Sequence, residues 1–223
     1  MTADKIYLFD AYGTLLDVNS AAARYSDRIG PVAERLSEIW RTKQLEYTWV
    51  HSATGQRASF WQLTERSLDF AIAASGASID DETRALLLDA YRELDAYPDV
   101  VPVLKALKDN GARLAILSNG DPDLLERVVD SSGLTGLLDR LLSVADAGTF
   151  KPHAGAYRLA VEAFDAPPQS MTFCSSNRWD IAGGSTFGFN CVWVNRLGRP
   201  DEYPEMRPQR IVSSLQALLA DER

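Results

Sequence analysis

The chain alternates between short apolar runs and stretches whose apolar residues return every three or four positions. The runs lie at 6–9, 112–117, 141–145, 171–174 and 191–194. Apolar runs this short, with little polar alternation, are expected of strands buried on both faces. Between them, residues 101–110 carry helical spacing and close on Gly111, the residue type that most readily ends a helix in the left-handed region. Segments 122–129 and 154–164 carry the same spacing. Strands alternating with helices predict a parallel sheet, so the fold class is α/β.

Residues 18–96 break that alternation. Val32, Leu36, Ile39 and Trp40, then Leu63, Leu68 and Ile72, then Leu86, Leu87, Tyr91 and Leu94 follow helical periods with no strand between them. This predicts an all-helical subdomain inserted after the first strand, with Tyr97-Pro98-Asp99 marking the return to the sheet. The expected organisation is a core domain of residues 1–17 and 97–223 and a helical cap of residues 18–96. Residues 198–210, with Pro200, Pro204 and Pro208, read as a surface loop before a final amphipathic helix around 211–219.

Composition narrows the function classes. Of 223 residues, 46% are hydrophobic and 24% charged, which is ordinary for a globular chain and unlike a disordered one. Lys and Arg number 23 against 31 Asp and Glu, a net charge of −8 without any basic block, so nucleic acid and anionic membrane are disfavoured partners. Cys174 and Cys191 are too few for a disulfide framework and fit buried thiols in a reducing compartment. His51 and His153 stand far apart in sequence and offer little to zinc. Asp10 interrupts the only early apolar stretch, which argues against a signal peptide, and no run approaches the ~20 residues of a membrane span. The expectation is a cytoplasmic protein.

In an open α/β sheet, ligands bind beyond the carboxyl ends of the strands. Those ends carry Asp10 after the first strand, Ser118-Asn119 after the second, Lys151-Pro152 after the third and Ser175-Ser176-Asn177-Arg178-Trp179-Asp180 after the fourth. A single polar residue at a strand end is ordinarily a cap or a loop residue. Two carboxylates and a lysine brought to one edge are a candidate site. Gly183 and Gly184 lack the G-x-G-x-x-G spacing of a dinucleotide site.

This ordered set, with Asp10-Ala11-Tyr12-Gly13-Thr14 at its head, resembles the haloacid dehalogenase superfamily and is most similar to the L-2-haloacid dehalogenases. The match extends through Trp40-Arg41 to Trp49 in the helical insert and covers nearly the whole chain. Leu16, where an aromatic is frequent, and the run Gly183-Gly184-Ser185-Thr186 depart from the usual pattern. The resemblance implies a Rossmann-like parallel sheet core of the haloacid dehalogenase type with an inserted helical cap. It implies hydrolytic dehalogenation of short (S)-2-haloalkanoic acids to (R)-2-hydroxy acids through an aspartyl ester, without metal or other cofactor, by a homodimer.

The roles implied are these. Asp10 is the nucleophile, and Lys151 offsets repulsion between it and the anionic substrate. Asp180 positions Lys151 and activates the hydrolytic water; its plainer role would be an N-cap of the following helix. As a buried carboxylate it calls for cationic compensation, expected from Lys151 and Arg41 together. Arg41 closes over the site and receives the halide with Asn177. Thr14 and Ser175 orient Asp10 or Lys151, and Tyr157 adds a supporting contact. Ser118, with backbone N–H groups nearby, binds the substrate carboxylate, and Ala11 and Asn119 belong to the same substrate-binding set. Tyr12, Leu45, Phe60 and Trp179 wall the halogen and the alkyl group.

A Mg²⁺-dependent phosphatase of the same superfamily is the alternative. That branch carries a second Asp two residues after the nucleophile and an acidic residue early in the fourth motif, where this chain has Tyr12 and Ser175. Magnesium prefers carboxylate and other oxygen ligands, and tyrosine cannot replace the acid that protonates an alkoxide. A halide leaves without a proton. A catalytically idle binding protein is a third reading, against which the retained Asp10, Lys151 and Asp180 weigh.

Overall fold

The computed structural model describes residues 5–222. Six parallel strands form one sheet: β1 (Ile6–Phe9), β2 (Arg113–Ser118), β3 (Arg140–Ser143), β4 (Met171–Ser175), β5 (Asn190–Val194) and β6 (Arg210–Val212), in the order β3-β2-β1-β4-β5-β6. That doubly wound order reverses direction at β1, so a crevice opens at the carboxyl end of β1 between its neighbours. Successive residues of β1 face opposite sides, as the two-residue period of a strand requires. Tyr7 and Phe9 join one buried cluster while Ile6 and Leu8 join the other. Both faces of the sheet are therefore covered by apolar packing, which explains the unalternated runs.

Five helices separate β1 from the last helix before β2. They are α1 (Ser20–Arg24), α2 (Ser26–Ile29), α3 (Ala33–Thr54), α4 (Phe60–Ser75) and α5 (Asp81–Tyr91). Their ends follow standard capping chemistry. Ser59 and Gln62 form a reciprocal capping box at the head of α4, Asp80 accepts from the Thr83 N–H at α5, and Gly55 and Gly76 close α3 and α4 in the left-handed region. The chain's two crossings between sheet and helices pair with each other: Asp17 N donates to Asp95 O at 2.8 Å and Tyr97 N to Leu15 O at 3.0 Å. The remaining helices, α6 (Val100–Asp109), α7 (Pro122–Ser131), α8 (Ala154–Phe164) and α9 (Arg178–Phe187), cover the sheet. Among the described residues no helix is long and apolar enough to cross a membrane.

Four details differ from the sequence expectation. Residues 210–212 are a strand rather than the end of a loop, and 215–222 form a 3₁₀ helix in place of an amphipathic helix from 211. A three-residue edge strand is too short for periodicity to register; it exists because β5 supplies its hydrogen-bonding partner. The third strand ends at Ser143, whose hydroxyl accepts from Ala145 N and turns 144–147 into a 3₁₀ segment. Leu94 lies beyond the end of α5. The short helices α1 and α2 span barely one turn each, below what a 3.6-residue period can reveal.

Candidate active site

Asp10 continues the line of β1, its N–H donating to Cys174 O at 3.0 Å. The chain turns sharply there, with Gly13 at φ +90° and three N–H groups (Thr14, Leu15, Leu16) directed to Ala11 O. This turn brings Thr14 back over the carboxylate. Thr14 Oγ1 donates to Asp10 Oδ2 at 2.9 Å, Asn177 Nδ2 donates to the same oxygen at 2.8 Å, and Ser175 Oγ lies at 3.5 Å. Oδ1 instead faces the Lys151 ammonium at 3.3 Å. One carboxylate oxygen is thus fixed by neutral donors and the other paired with a cation.

Lys151 is fully buried, and so is Asp180, which accepts from Nζ at 2.9 Å. Asp180 is held on its other oxygen by the Tyr157 hydroxyl at 2.8 Å. Burial raises the Asp180 carboxyl to about 6, against the opposing pull of the Lys151 charge. Burial first, and then the charge of Asp180, raise the Tyr157 phenol well above its ordinary value, so it remains a donor. Asp180 is not the helix cap: α9 begins at Arg178 with Asn177 in the cap position, and Asp180 sits inside the first turn. There the helix dipole favours its negative charge.

Arg41, on α3, reaches the turn after Asp10 from the helical side. Nη2 donates to Tyr12 O at 3.0 Å, the carbonyl that Asn177 Nδ2 also contacts at 3.1 Å, and Nη1 donates to Gln44 Oε1 at 2.8 Å. Arg41 pairs with neither buried carboxylate among the described residues, so compensation of the Asp10 and Asp180 charges falls to Lys151 alone. Asn119 Oδ1 accepts from Lys151 N at 3.0 Å and holds the lysine's backbone. Ser118 is buried, its hydroxyl accepting from Gly120 N at 3.1 Å.

Tyr12 and Phe60 pack ring to ring at 5.2 Å, with Tyr91 on Tyr12 at 5.6 Å. The Tyr12 hydroxyl lies against Gly120, where an added Cβ would be 3.0 Å from it. Trp179 meets Trp49 edge-on at 5.5 Å, and Leu45 is half-buried on α3.

Four contributors have roles that the sequence does not reveal. Gly183 on α9 permits the Tyr157–Asp180 contact, because a Cβ there would come within 2.3 Å of the Tyr157 hydroxyl. Asp121 accepts from Phe60 N at 3.1 Å and Trp61 N at 2.8 Å, so a side chain beside the sheet caps α4. Arg178 is buried between Asn177 and Trp179 and ties Asp201 at 2.6 Å and the carbonyls of Tyr203 and Met206 to the start of α9. Arg196 joins Thr14 O at 3.0 Å to Asp99 at 2.9 Å with its guanidinium over the Tyr97 ring, bracing the paired crossings. Gly183 belongs to a departure visible in the sequence; the other three act across long separations that leave no local signal.

A family model described as haloacid dehalogenase-like hydrolase matches residues 5–188. The chain is 45% identical over 211 residues to (S)-2-haloacid dehalogenase 1 of Pseudomonas sp. (strain CBS-3), covering 95% of this chain and 93% of that protein. It is 43% identical to (S)-2-haloacid dehalogenase 4A of Burkholderia cepacia, covering 95% and 91% respectively. Among solved structures, it resembles L-2-haloacid dehalogenase from Xanthobacter autotrophicus with chloropropionic acid covalently bound, at TM-score 0.89, 33% identity and 98% coverage of each chain.

Proposed function

The chain belongs to the haloacid dehalogenase-like hydrolases, and from that premise we propose that it hydrolyses short (S)-2-haloalkanoic acids to (R)-2-hydroxy acids and halide. The observation that supports this reading is the buried line Asp10–Lys151–Asp180, an arrangement suited to one carboxylate acting as nucleophile and the other as base. Oδ1 of Asp10 attacks C2 from behind the carbon–halogen bond, forming a carbon–oxygen bond as halide departs with the bonding electrons. Alignment supplies what a weakly nucleophilic carboxylate lacks; well-oriented attack can contribute roughly 7–11 kcal/mol. Arg41 and Asn177, which meet at the Tyr12 carbonyl, receive the halide. Water then adds to the Asp10 ester carbonyl while Asp180 takes one of its protons. The adduct collapses as that proton passes to the departing oxygen, so the 2-hydroxy acid leaves with the oxygen that belonged to Asp10, Asp10 regains its carboxylate and the second water proton goes to solvent. Configuration at C2 inverts once, in the first step.

Magnesium does not fit the residues present. Lys151 Nζ stands between the two buried carboxylates, and Tyr12 and Ser175 occupy the positions where further acids would be wanted. Among the described residues no group of three or more His, Cys, Asp or Glu could hold a metal ion. The helical segment 18–96 acts as the cap carrying Arg41, Leu45 and Phe60 over a core of residues 1–17 and 97–223, of which 1–4 and 223 lie outside the described residues. Exposed Val50 and Phe70 on α3 and α4 support pairing of two copies through the cap.

The deciding experiment offers both enantiomers of 2-chloropropionate, with and without EDTA. Chloride is expected from the (S) form alone, undiminished by EDTA. Activity that requires added Mg²⁺, or turnover confined to phosphate esters, overturns the reading.

The acid limb of the rate follows from Asp180. The base acts only when ionised, so kcat is expected to fall about tenfold per unit below the pKa of this carboxyl, which burial holds above the ordinary carboxylate range. A pH–rate profile checks this, and a limb set near pH 4 would remove Asp180 from the role. Its stability sign is opposite. The folded value lies above the unfolded 3.8, so the stabilisation present below pH 3.8 is lost as pH rises through about 6.

A further inference from the structure

Asp10 is 5% exposed, while Ser118, Lys151, Ser175 and Asp180 are at 0%, so a substrate must reach them through an opening in the molecule. A cleft of about 400 Å³ lies between the α3–α4 turn on the helical side and residues 144–150 on the sheet side. Its floor includes Asn119 and Phe150, the chain neighbours of Ser118 and Lys151. Two contacts tie its walls together. Ser52 Oγ accepts from Phe150 N at 3.0 Å, and the Asp121 carboxylate accepts the two N–H groups at the head of α4.

Three ionisable side chains line this cleft: His51, Arg57 and Asp121. The Asp121 carboxylate is engaged by backbone donors, and His51 Nδ1 lies 3.2 Å from Gln56 O within the turn itself. Arg57 is exposed and has neither an ion-pair nor a hydrogen-bond partner among the described residues. Its guanidinium spans toward the opposite wall, with Nη2 placed 3.7 Å from where a Cβ on Gly148 would stand. An unpaired cation in a cleft lined by the chain neighbours of Ser118 and Lys151 is set to attract an anion, and in a chain of net charge −8 it opposes the general repulsion.

We propose that this cleft is the passage by which a small carboxylate reaches Asp10, and that Arg57 is the cation that collects it there. The inference rests on the dehalogenase reading for the identity of the anion. Arg57 acts before the chemistry, so its effect belongs in kcat/KM and is screened by salt.

For (S)-2-chloropropionate at low ionic strength, kcat/KM is expected to fall about threefold in Arg57→Ala and about tenfold in Arg57→Glu, with both differences shrinking as ionic strength rises. Arg57→Lys retains the parent value. Arg57→Cys gives a second handle, because Cys174 and Cys191 are fully buried and burial raises both thiols, the latter to about 12. A methanethiosulfonate reagent therefore reacts at position 57. The 2-aminoethyl adduct is expected to restore kcat/KM and the 2-sulfonatoethyl adduct to lower it further. Equal values for parent, Arg57→Glu and both adducts overturn the proposal, as does a loss that is independent of charge and salt. If the parent itself releases no halide from any 2-haloacid, the dehalogenase reading fails instead.

Discussion

Asp10→Asn is expected to abolish halide release, with a loss of at least about 10⁴-fold, while the fold remains intact. The amide matches the carboxylate in shape but carries no negative charge to attack C2. It also sets an NH₂ group where one carboxylate oxygen now accepts from Thr14 and Asn177, or toward the ammonium of Lys151. In either orientation a donor meets a donor, and neither amide atom is the nucleophile. Chloride release and a thermal melt measured on the same preparation separate lost chemistry from lost folding. A single turnover of the parent in H₂¹⁸O adds a sharper readout. Water attacks the ester carbonyl, so the label is expected in the Asp10 side chain and not in the first molecule of product. Label in the first product, or a variant within tenfold of the parent, rules out the covalent route.

Why Asp10 was legible in the sequence as a site residue while its supports were not follows from how each is built. β1, β2, β4 and β5 are short and buried on both faces, so their apolar runs name them, and a residue at the end of such a run lies at the carboxyl edge by geometry alone. Asp10, Ser118 and Ser175 fall in that class, whereas Lys151 stands beyond β3 and the 3₁₀ segment that follows it. The short strand β6 and the short helices α1 and α2 hold fewer residues than a period needs to show itself, and β6 depends on β5 for its existence. Arg196 bracing Thr14, Arg178 holding the 201–206 loop and Asp121 capping α4 are contacts over distances in sequence that no local pattern encodes. Asn119 was legible as a site position, but its hold on the lysine backbone was not. The sequence placed it at the strand end, and only the fold aims its oxygen at the Lys151 backbone. Arg41 was likewise placed at the site, while its distance from the carboxylates depends on how α3 lies over the Tyr12 carbonyl.

That Arg41 stands apart makes Lys151 the residue whose loss is second in expected effect. Nζ lies 3.3 Å from Asp10 and 2.9 Å from Asp180, and among the described residues neither carboxylate has another ion pair. Lys151→Met keeps the length and removes the charge, leaving two buried carboxylates facing each other. Breaking a buried pair in this way costs about 3–5 kcal/mol, and if the transition state bears that loss the rate falls about 10²–10⁴-fold. The Asp180 carboxyl, already raised to about 6 with the lysine present, moves further up, so its basic form is scarce at pH 7. The predicted acid limb of the residual activity therefore shifts to higher pH. Stability must shift with it, in a direction fixed by linkage. A folded pKa raised further above the unfolded value means stability lost as pH rises, so urea denaturation is expected to show a larger deficit against the parent at pH 8 than at pH 5. Lys151→Arg is not expected to rescue the rate, because the side chain is fully buried with its ammonium 5.0 Å from the centre of the Phe173 ring, and a guanidinium does not fit. A Met variant with an unmoved acid limb and an equal deficit at both pH values would show that the two carboxylates do not depend on this cation, and that some other group holds Asp180 in its charged form.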